Sequence, residues 1–299
     1  MPKATKQSMF LSLDDAQLTL NVLLYGREGT GKTTSFAHAA NHGRVLVINA
    51  EGGLKAGALR RQGINTKNIV TWPTPGTEIT YESLDELYRQ IQSDLIDDPE
   101  SWYLIALDSV TDILETLTRN VSDARIAKQR GFGNSINQYE AFETDRNDYG
   151  VMGKQFVDIV RKMRDLPCHF VMTALERRDT DEDTGLTTYG PAATPSIQGK
   201  LLGYVDLALY MRAADPEEGD GGKPFRALTR PTRRYRAKDR LNVLPRLLAD
   251  PTFDRILAYA EEELTADTDP LQSTLSQVES EPTKKNQADK ADDNKNTES

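Results

Sequence analysis

Apolar residues along this chain fall into short, nearly continuous runs separated by polar stretches. Leu18-Thr-Leu-Asn-Val-Leu-Leu-Tyr25, Arg44-Val-Leu-Val-Ile-Asn-Ala50, Trp102-Tyr-Leu-Ile-Ala-Leu107 and Cys168 to Leu175 are each about a strand long. Runs without alternation mark strands buried on both faces. Asn68–Trp72 predicts a shorter strand, closed by Pro73 and Pro75, and Leu201–Met211 another. Between these runs the spacing changes to that of helices. Tyr81–Ile96 carries Leu84, Leu87, Tyr88, Ile91 and Leu95 on one face, and Asp97-Asp98-Pro99 ends it. Helices are also predicted over Thr34–Ala40, Val110–Val121 and Gly153–Leu166. Strands alternating with helices predict an α/β fold: a mostly parallel sheet with helices on both faces. Residues 123–150 and 176–200, polar and interrupted by Gly and Pro, predict two long loops, the first with some helix. Near the end, Phe225–Lys238 reads as a C-terminal β-hairpin turning at Arg230-Pro231-Thr232, and Phe253–Leu264 as a closing helix. No internal repeat is visible.

Composition changes this picture at one end. The chain has 299 residues and only 37% hydrophobic residues, and the shortage is concentrated after Leu264. Residues 265–299 hold no aromatic residue and eight acidic residues against four lysines. Such a segment buries too little to offset its ordering entropy, so it is predicted to be a disordered acidic tail following one domain over residues 1–264. The tail carries −4 of the net charge of −9. An acidic body argues against indiscriminate nucleic-acid binding and leaves room for a local basic track. Cys168 is the only cysteine, so no internal disulfide is available, as suits a reducing cytosol. It follows Pro167 in an apolar run and reads as a core thiol. His38, His42 and His169 lack metal-ligand spacing. No signal-like start and no run of membrane-spanning length are seen, so no membrane association is expected.

The chemistry is concentrated in Gly26-Arg27-Glu28-Gly29-Thr30-Gly31-Lys32-Thr33, which fits G-x-x-x-x-G-K-[ST] without mismatch. A strand run precedes it and a helix run, opening at Thr34, follows it. In that setting the loop N–H groups point inward to cradle phosphates. Lys32 reaches the β- and γ-phosphates and the Thr33 hydroxyl holds Mg²⁺. An apolar strand ending in a carboxylate, Leu104-Ile-Ala-Leu107-Asp108, supplies the second half of such a site, with Asp108 at the Mg²⁺ shell. Glu51 lies just past the second strand, at the sheet edge where α/β folds bind ligands. It reads either as a carboxylate that polarises an attacking water or as an exposed loop residue.

The order of the phosphate loop, Ile48-Asn-Ala-Glu51 and Leu107-Asp108-Ser109-Val110 resembles the RecA-type ATPase core, over roughly residues 18–212. Within that superfamily the chain looks most like the phage-encoded RecA-like single-strand annealing recombinases. The supporting details are Tyr149-Gly150, Thr173-Ala174-Leu175-Glu176, Gly203 to Asp206 and Ala237-Lys238-Asp239-Arg240. The resemblance implies ATP as the nucleotide with Mg²⁺, Glu51 as catalytic base, single-stranded DNA as partner, and a homo-oligomer, ring or filament, with ATP between protomers. It also implies a place in the cytoplasm of a phage-infected bacterial host, and a single-stranded-DNA-binding protein as a further partner. Lys238-Asp239-Arg240 resembles the Lys-x-Arg finger of hexameric helicases in the superfamily, which reaches a neighbour's γ-phosphate; its other reading is two solvated residues at a strand end. One position departs from the pattern: where the family places a polar sensor at the end of the fourth strand, this chain has Leu175, with Thr173 and Glu176 as substitutes.

Two regions are candidates for DNA. Lys223–Arg246 holds nine basic residues, opposed only by Asp239. Among them Arg230, Arg233, Arg234 and Arg236, with Phe225 and Tyr235 interleaved, would suit a phosphate backbone and stacked bases, or a basic subunit interface. The first long loop offers Arg125, Lys128, Arg130 and Phe132, while the second sets Arg177, Arg178 and Lys200 beside Asp179, Asp181, Glu182 and Asp183. The expected activity is an ATP-dependent recombinase that binds single-stranded DNA and promotes annealing or strand exchange. A ring-forming motor or helicase loader, and a nucleotide-gated switch with little turnover, are the alternatives.

Overall fold

The computed structural model describes residues 18–131, 144–215 and 224–265. Ten strands form its sheet. In chain order the elements are β1 (Asn21–Gly26), α1 (Lys32–Ala37), β2 (Val45–Asn49), α2 (Ala56–Arg61), β3 (Ile69–Trp72), α3 (Tyr81–Asp97), β4 (Leu104–Asp108), α4 (Val110–Gly131) and α5 (Arg146–Arg164). They continue with β5 (His169–Thr180), β6 (Thr187–Pro191), α6 (Pro195–Tyr204), β7 (Leu207–Ala213), β8 (Phe225–Leu228), β9 (Lys238–Asp239), β10 (Leu247–Ala249) and α7 (Phe253–Thr265). The main order is β10-β8-β7-β1-β5-β4-β2-β3, with β6 added to β5 and β9 to β7. From β7 to β3 every neighbouring pair is parallel. The apolar runs are therefore explained: parallel strands need crossovers, and the crossover helices cover both faces.

Successive side chains of one strand go to opposite cores. Leu23 and Tyr25 pack with Ile91 of α3, Leu117 of α4, Phe156 of α5 and Leu201 of α6. Val22 and Leu24 pack on the other face with Phe36 of α1, Leu59 of α2, and Phe253 and Ile256 of α7. Cys168 lies in the first core, and its burial pushes the thiol up to about 12, so it is a packing residue. By packing, the chain divides into Met1–Ala260 and Glu261–Ser299. Of the second unit only the last residues of α7, Glu261–Thr265, are described, so the predicted tail lies outside the described residues. No described helix is long and apolar enough to cross a membrane.

The expected parallel, doubly covered α/β sheet is what the chain forms. Three local expectations are corrected. Residues 123–150, expected as a long loop with some helix, hold more helix than that: α4 runs on to Gly131 and α5 begins at Arg146 rather than Gly153. Helical periodicity fades there because some of the groups that join the two helices are polar: Ser122 and Arg125 both donate to Asp148. Asp145 and Asp148 also form a capping box that starts α5. Residues 176–200 are not a loop either. β5 continues to Thr180 and folds back as β6 around a turn in which Asp181 accepts from Thr184, and α6 follows from Pro195 to Tyr204. Finally, Phe225–Lys238 is not a closed hairpin. The antiparallel C-terminal pairing exists, but β8 pairs with β7 and β10, and β9 pairs with β7.

Candidate nucleotide site

The loop 26–31 leaves β1 at the edge where β2, β4 and β5 also end. Gly26 is required by crowding: a Cβ there would lie 2.1 Å from the Met211 carbonyl oxygen. Gly31 has φ +83°, a conformation costly for residues with a Cβ, and it opens α1 without a side-chain cap. Lys32 is buried, and its Nζ donates to the carbonyls of Gly26 at 3.0 Å and Arg27 at 2.7 Å. The ammonium is thus held at the loop's own backbone, and burial lowers its pKa. Proton loss is opposed by the carboxylates Glu51 and Asp108.

Thr33 Oγ1 donates to Asp108 Oδ2 at 3.0 Å, which brings the two sequence-predicted Mg²⁺ residues together across β1, β5 and β4. Asp108 is 1% exposed, and its other oxygen accepts from Thr173 Oγ1 on β5. Burial raises its pKa, while Thr173 and Thr33 act the other way. Among the described residues no group of three His, Cys, Asp or Glu side chains could hold a metal. Mg²⁺ is ordinarily bound through one or two protein oxygens together with substrate phosphates and water. Thr33 and Asp108 fit this role.

Glu51 is placed by backbone bonds: the N–H groups of Ala50 and Glu51 both donate to the Asp108 carbonyl, at 2.8 and 3.2 Å. Its side chain lines a cavity of about 250 Å³ together with Glu28, Gly29, Thr30, Gly31, Lys32, Thr33 and Thr34. Its pKa is raised, first by partial burial and then by Asp108 and Asp112. Asp112, one turn into α4, accepts from Ser109 Oγ and adds a third carboxylate to this edge. Leu175 lines the same cavity. Neither substitute sensor does. Thr173 is committed to Asp108, and Glu176 accepts from Arg27 at 2.9 Å and from Tyr210 at 3.0 Å.

Arg27 therefore links the loop to a stack of tyrosines. The Tyr210 ring lies 5.3 Å from Tyr25 and 4.3 Å from Tyr235, and Tyr235 lies 5.0 Å from Tyr189. Tyr25 Oη donates to the Arg236 carbonyl. Arg233, Arg234 and Arg236 flank Tyr235 with exposed side chains. Arg230 is instead drawn to Asn242 and Asp239.

The other expected residues lie away from this edge, among them Lys238 and Arg240, whose expected target is a neighbouring subunit's phosphate. Lys238 and Asp239 pair with Ala208 and Leu207, whereas the loop begins where Gly26 pairs with Met211, at the other end of the same strands. Lys238 Nζ donates to the carbonyls of Leu202 and Val205, and Arg240 reaches Asp206 at 3.0 Å and the Gly203 carbonyl. Both cations close the C-terminus of α6, where orphan carbonyls favour positive charge. Arg125 is held by Asp148 at 3.0 Å as a tie between α4 and α5. Lys128 and Arg130 are exposed on the last turns of α4, and Phe132 lies outside the described residues.

Three contributors carry no expectation from the sequence: Asp112, the Thr173–Asp108 bond and the tyrosine stack; Phe225, expected as a stacking residue for DNA, packs its ring on Gly31 instead. Asp112 alone had a local signal, four residues after Asp108 at the start of a helix. The others are contacts between residues far apart in sequence.

Fold and site together define a P-loop ATPase. The chain belongs to the AAA domain family, which it matches over residues 19–241, a span holding the loop, Glu51, Asp108 and the basic segment. Among solved structures it is similar to the RadB recombinase, at 12% identity and a TM-score of 0.42, over 70% of this chain and 79% of that one. No curated protein matches it.

Proposed function

We propose that this chain is an ATP-dependent, single-stranded-DNA-binding recombinase, a homo-oligomer that promotes annealing or strand exchange with ATP bound at the loop 26–33. The observation that carries the hydrolytic part is the convergence of Lys32, Thr33 and Glu51 on one cavity, with the buried Asp108 bonded to Thr33. When ATP enters, the Lys32 ammonium exchanges its two carbonyl partners for β- and γ-phosphate oxygens. Thr33 and Asp108 would hold Mg²⁺, which would supply charge neutralisation at those phosphates. Glu51, exposed to water beside the cavity, takes a proton from the attacking water.

The DNA part rests on Arg233, Arg234 and Arg236. They form an exposed cationic cluster on a segment joined to the loop through Tyr235, Tyr210, Glu176 and Arg27. Phosphates bound there would bear on Arg27, which gives DNA a route to the rate of hydrolysis. A fluorescence titration of single-stranded DNA tests this. Replacing the three arginines with Gln is expected to weaken binding and to reduce the salt slope by about two, since each phosphate contact contributes roughly 0.7 on single strands. An unchanged slope would place the DNA elsewhere.

The second reading is a nucleotide-gated switch with little turnover. Leu175 favours it, because the sensor position in the phosphate cavity is apolar. Turnover abolished by Glu51→Gln would exclude it.

A further inference from the structure

Both aromatic residues expected to stack bases are engaged elsewhere. The Phe225 ring packs on Gly31, and the Tyr235 ring has Tyr210 at 4.3 Å on one face and Tyr189 at 5.0 Å on the other. The structure brings another ring to the same place. Tyr25, Tyr210, Tyr235 and Tyr189 follow one another from the core to the surface. The first two are 0% and 7% exposed, and the outer two are partly open to solvent. Tyr189 ends the row, tilted only 18° from Tyr235, and among the described residues no further ring follows it. We propose that Tyr189 is a stacking platform for an unpaired base of single-stranded DNA, which continues the row outward while Arg233, Arg234 and Arg236 hold the phosphates. The inference rests on the DNA reading above and names the part of the strand that the arginines do not touch.

Ring and arginines belong to one backbone frame. Tyr189, on β6, and Tyr235 form a parallel bridge. In it the Tyr189 N–H donates to the Arg234 carbonyl at 2.6 Å, and the Arg236 N–H donates to the Tyr189 carbonyl at 3.1 Å. Gly190, beside Tyr189, leaves room for the Arg236 side chain: a Cβ there would lie 3.3 Å from Arg236 Cδ. The frame is held before any strand arrives. The Tyr235 N–H donates to Thr232 Oγ1 at 2.9 Å, and the Thr232 N–H closes the turn on the Tyr235 carbonyl at 3.0 Å. From the core, Tyr25 Oη donates to the Arg236 carbonyl. A seat fixed in advance lowers the ordering cost of binding. Single-strand binding combines two parts, cations that follow the backbone and aromatic faces that take a base of any sequence, and both are present here. The row leads inward to Tyr210, which donates to Glu176, the partner of Arg27 in the phosphate loop. A base on Tyr189 therefore loads the same row of groups that reaches the nucleotide site.

Fluorescence anisotropy of the full chain with end-labelled oligothymidylate and with an abasic strand of equal length separates base from phosphate, because the two strands carry the same charge. The wild-type chain should prefer oligothymidylate by about fivefold or more. Tyr189→Leu should lose that preference while its affinity for the abasic strand stays within about twofold and its salt slope is unchanged, since no phosphate contact is removed. Tyr189→Phe keeps the ring and should keep the preference. Equal binding of the two strands by the wild-type chain, or a Tyr189→Leu variant that retains the preference whether or not its overall affinity falls, would overturn the platform and leave the arginine-held strand standing. Binding of neither strand is a different result: it would refute the DNA reading itself, and the platform with it.

Discussion

Thr173→Val removes one hydroxyl from the centre of the site and keeps its shape. Thr173 is fully buried, and its Oγ1 donates to one oxygen of Asp108 while Thr33 serves the other from 3.0 Å. Valine packs almost as threonine does, so the effect is essentially that of a lost hydrogen bond to a buried carboxylate. Such a bond contributes about 1.5–3 kcal/mol. Proton uptake limits the damage. Burial already raises the Asp108 pKa, and loss of the Thr173 donor raises it further, so the variant can neutralise the orphaned oxygen. The expected loss of stability at neutral pH is therefore nearer 1.5 than 3 kcal/mol. Its pH dependence has a definite sign. The donor favours charged Asp108, so its contribution is present above the folded pKa and fades as pH falls through it. Urea unfolding of the nucleotide-free protein at neutral and mildly acidic pH, for Thr173→Val, Asp108→Asn and the double variant, measures both quantities. The double-mutant cycle should show a coupling of about 1 kcal/mol or more. Additive single effects, or a stability change under about 0.5 kcal/mol at both pH values, would refute the reasoning that Thr173 sustains the Asp108 carboxylate.

Gly31→Ala imposes a Cβ at φ +83° and drives it into the Phe225 ring; about 1–2 kcal/mol of backbone strain is expected, with a lowered Tm and nucleotide affinity reduced at least about tenfold by titration. Glu51→Gln should retain ATP binding and lose about 10²-fold or more in turnover, read by phosphate release. With Glu51 as the proposed base, and its pKa raised by burial, Asp108 and Asp112, the wild-type rate should fall on the acid side at a pH above the ordinary carboxylate value, and this limb should vanish in the variant. Asp148→Ala strips Ser122 and Arg125 of their shared acceptor and removes the α5 cap; a stability loss of about 2–3 kcal/mol in denaturant unfolding is expected, moderated by the partial exposure of Arg125.

The parts of the fold legible in the sequence are those in which burial and local chemistry coincide. β1, β2 and β4 are buried on both faces, and each ends in a residue with a chemical reason to be there, so apolar runs and the loop octet located the nucleotide edge within a residue or two. The second half of α4 was hidden because its inward face is partly polar. Beside the buried Ile126, Ser122 is buried and Arg125 half-buried against Asp148, a partner on another helix that no periodicity reports. The outer part of β5 and the first three residues of β6 leave the core, so their side chains lose the apolar signal, and only the Asp181–Gly185 turn marks the hairpin. At the site, Lys32, Thr33 and Asp108 were legible because their spacing is fixed by one strand–loop–helix unit and one strand end. The positions of Lys238 and Arg240 were not. Charge in a basic run says nothing of which end of a strand it reaches, and here the register with β7 brings both cations to the C-terminus of α6.

The most direct test is ATP hydrolysis by the full chain with and without single-stranded DNA, using Lys32→Ala as the blank. Turnover in the wild type that rises with DNA, is absent in Lys32→Ala, and loses its DNA response when Arg233, Arg234 and Arg236 are replaced with Gln is the predicted result. Turnover no greater than that of Lys32→Ala, or turnover indifferent to DNA, would contradict the account of a DNA-coupled ATPase.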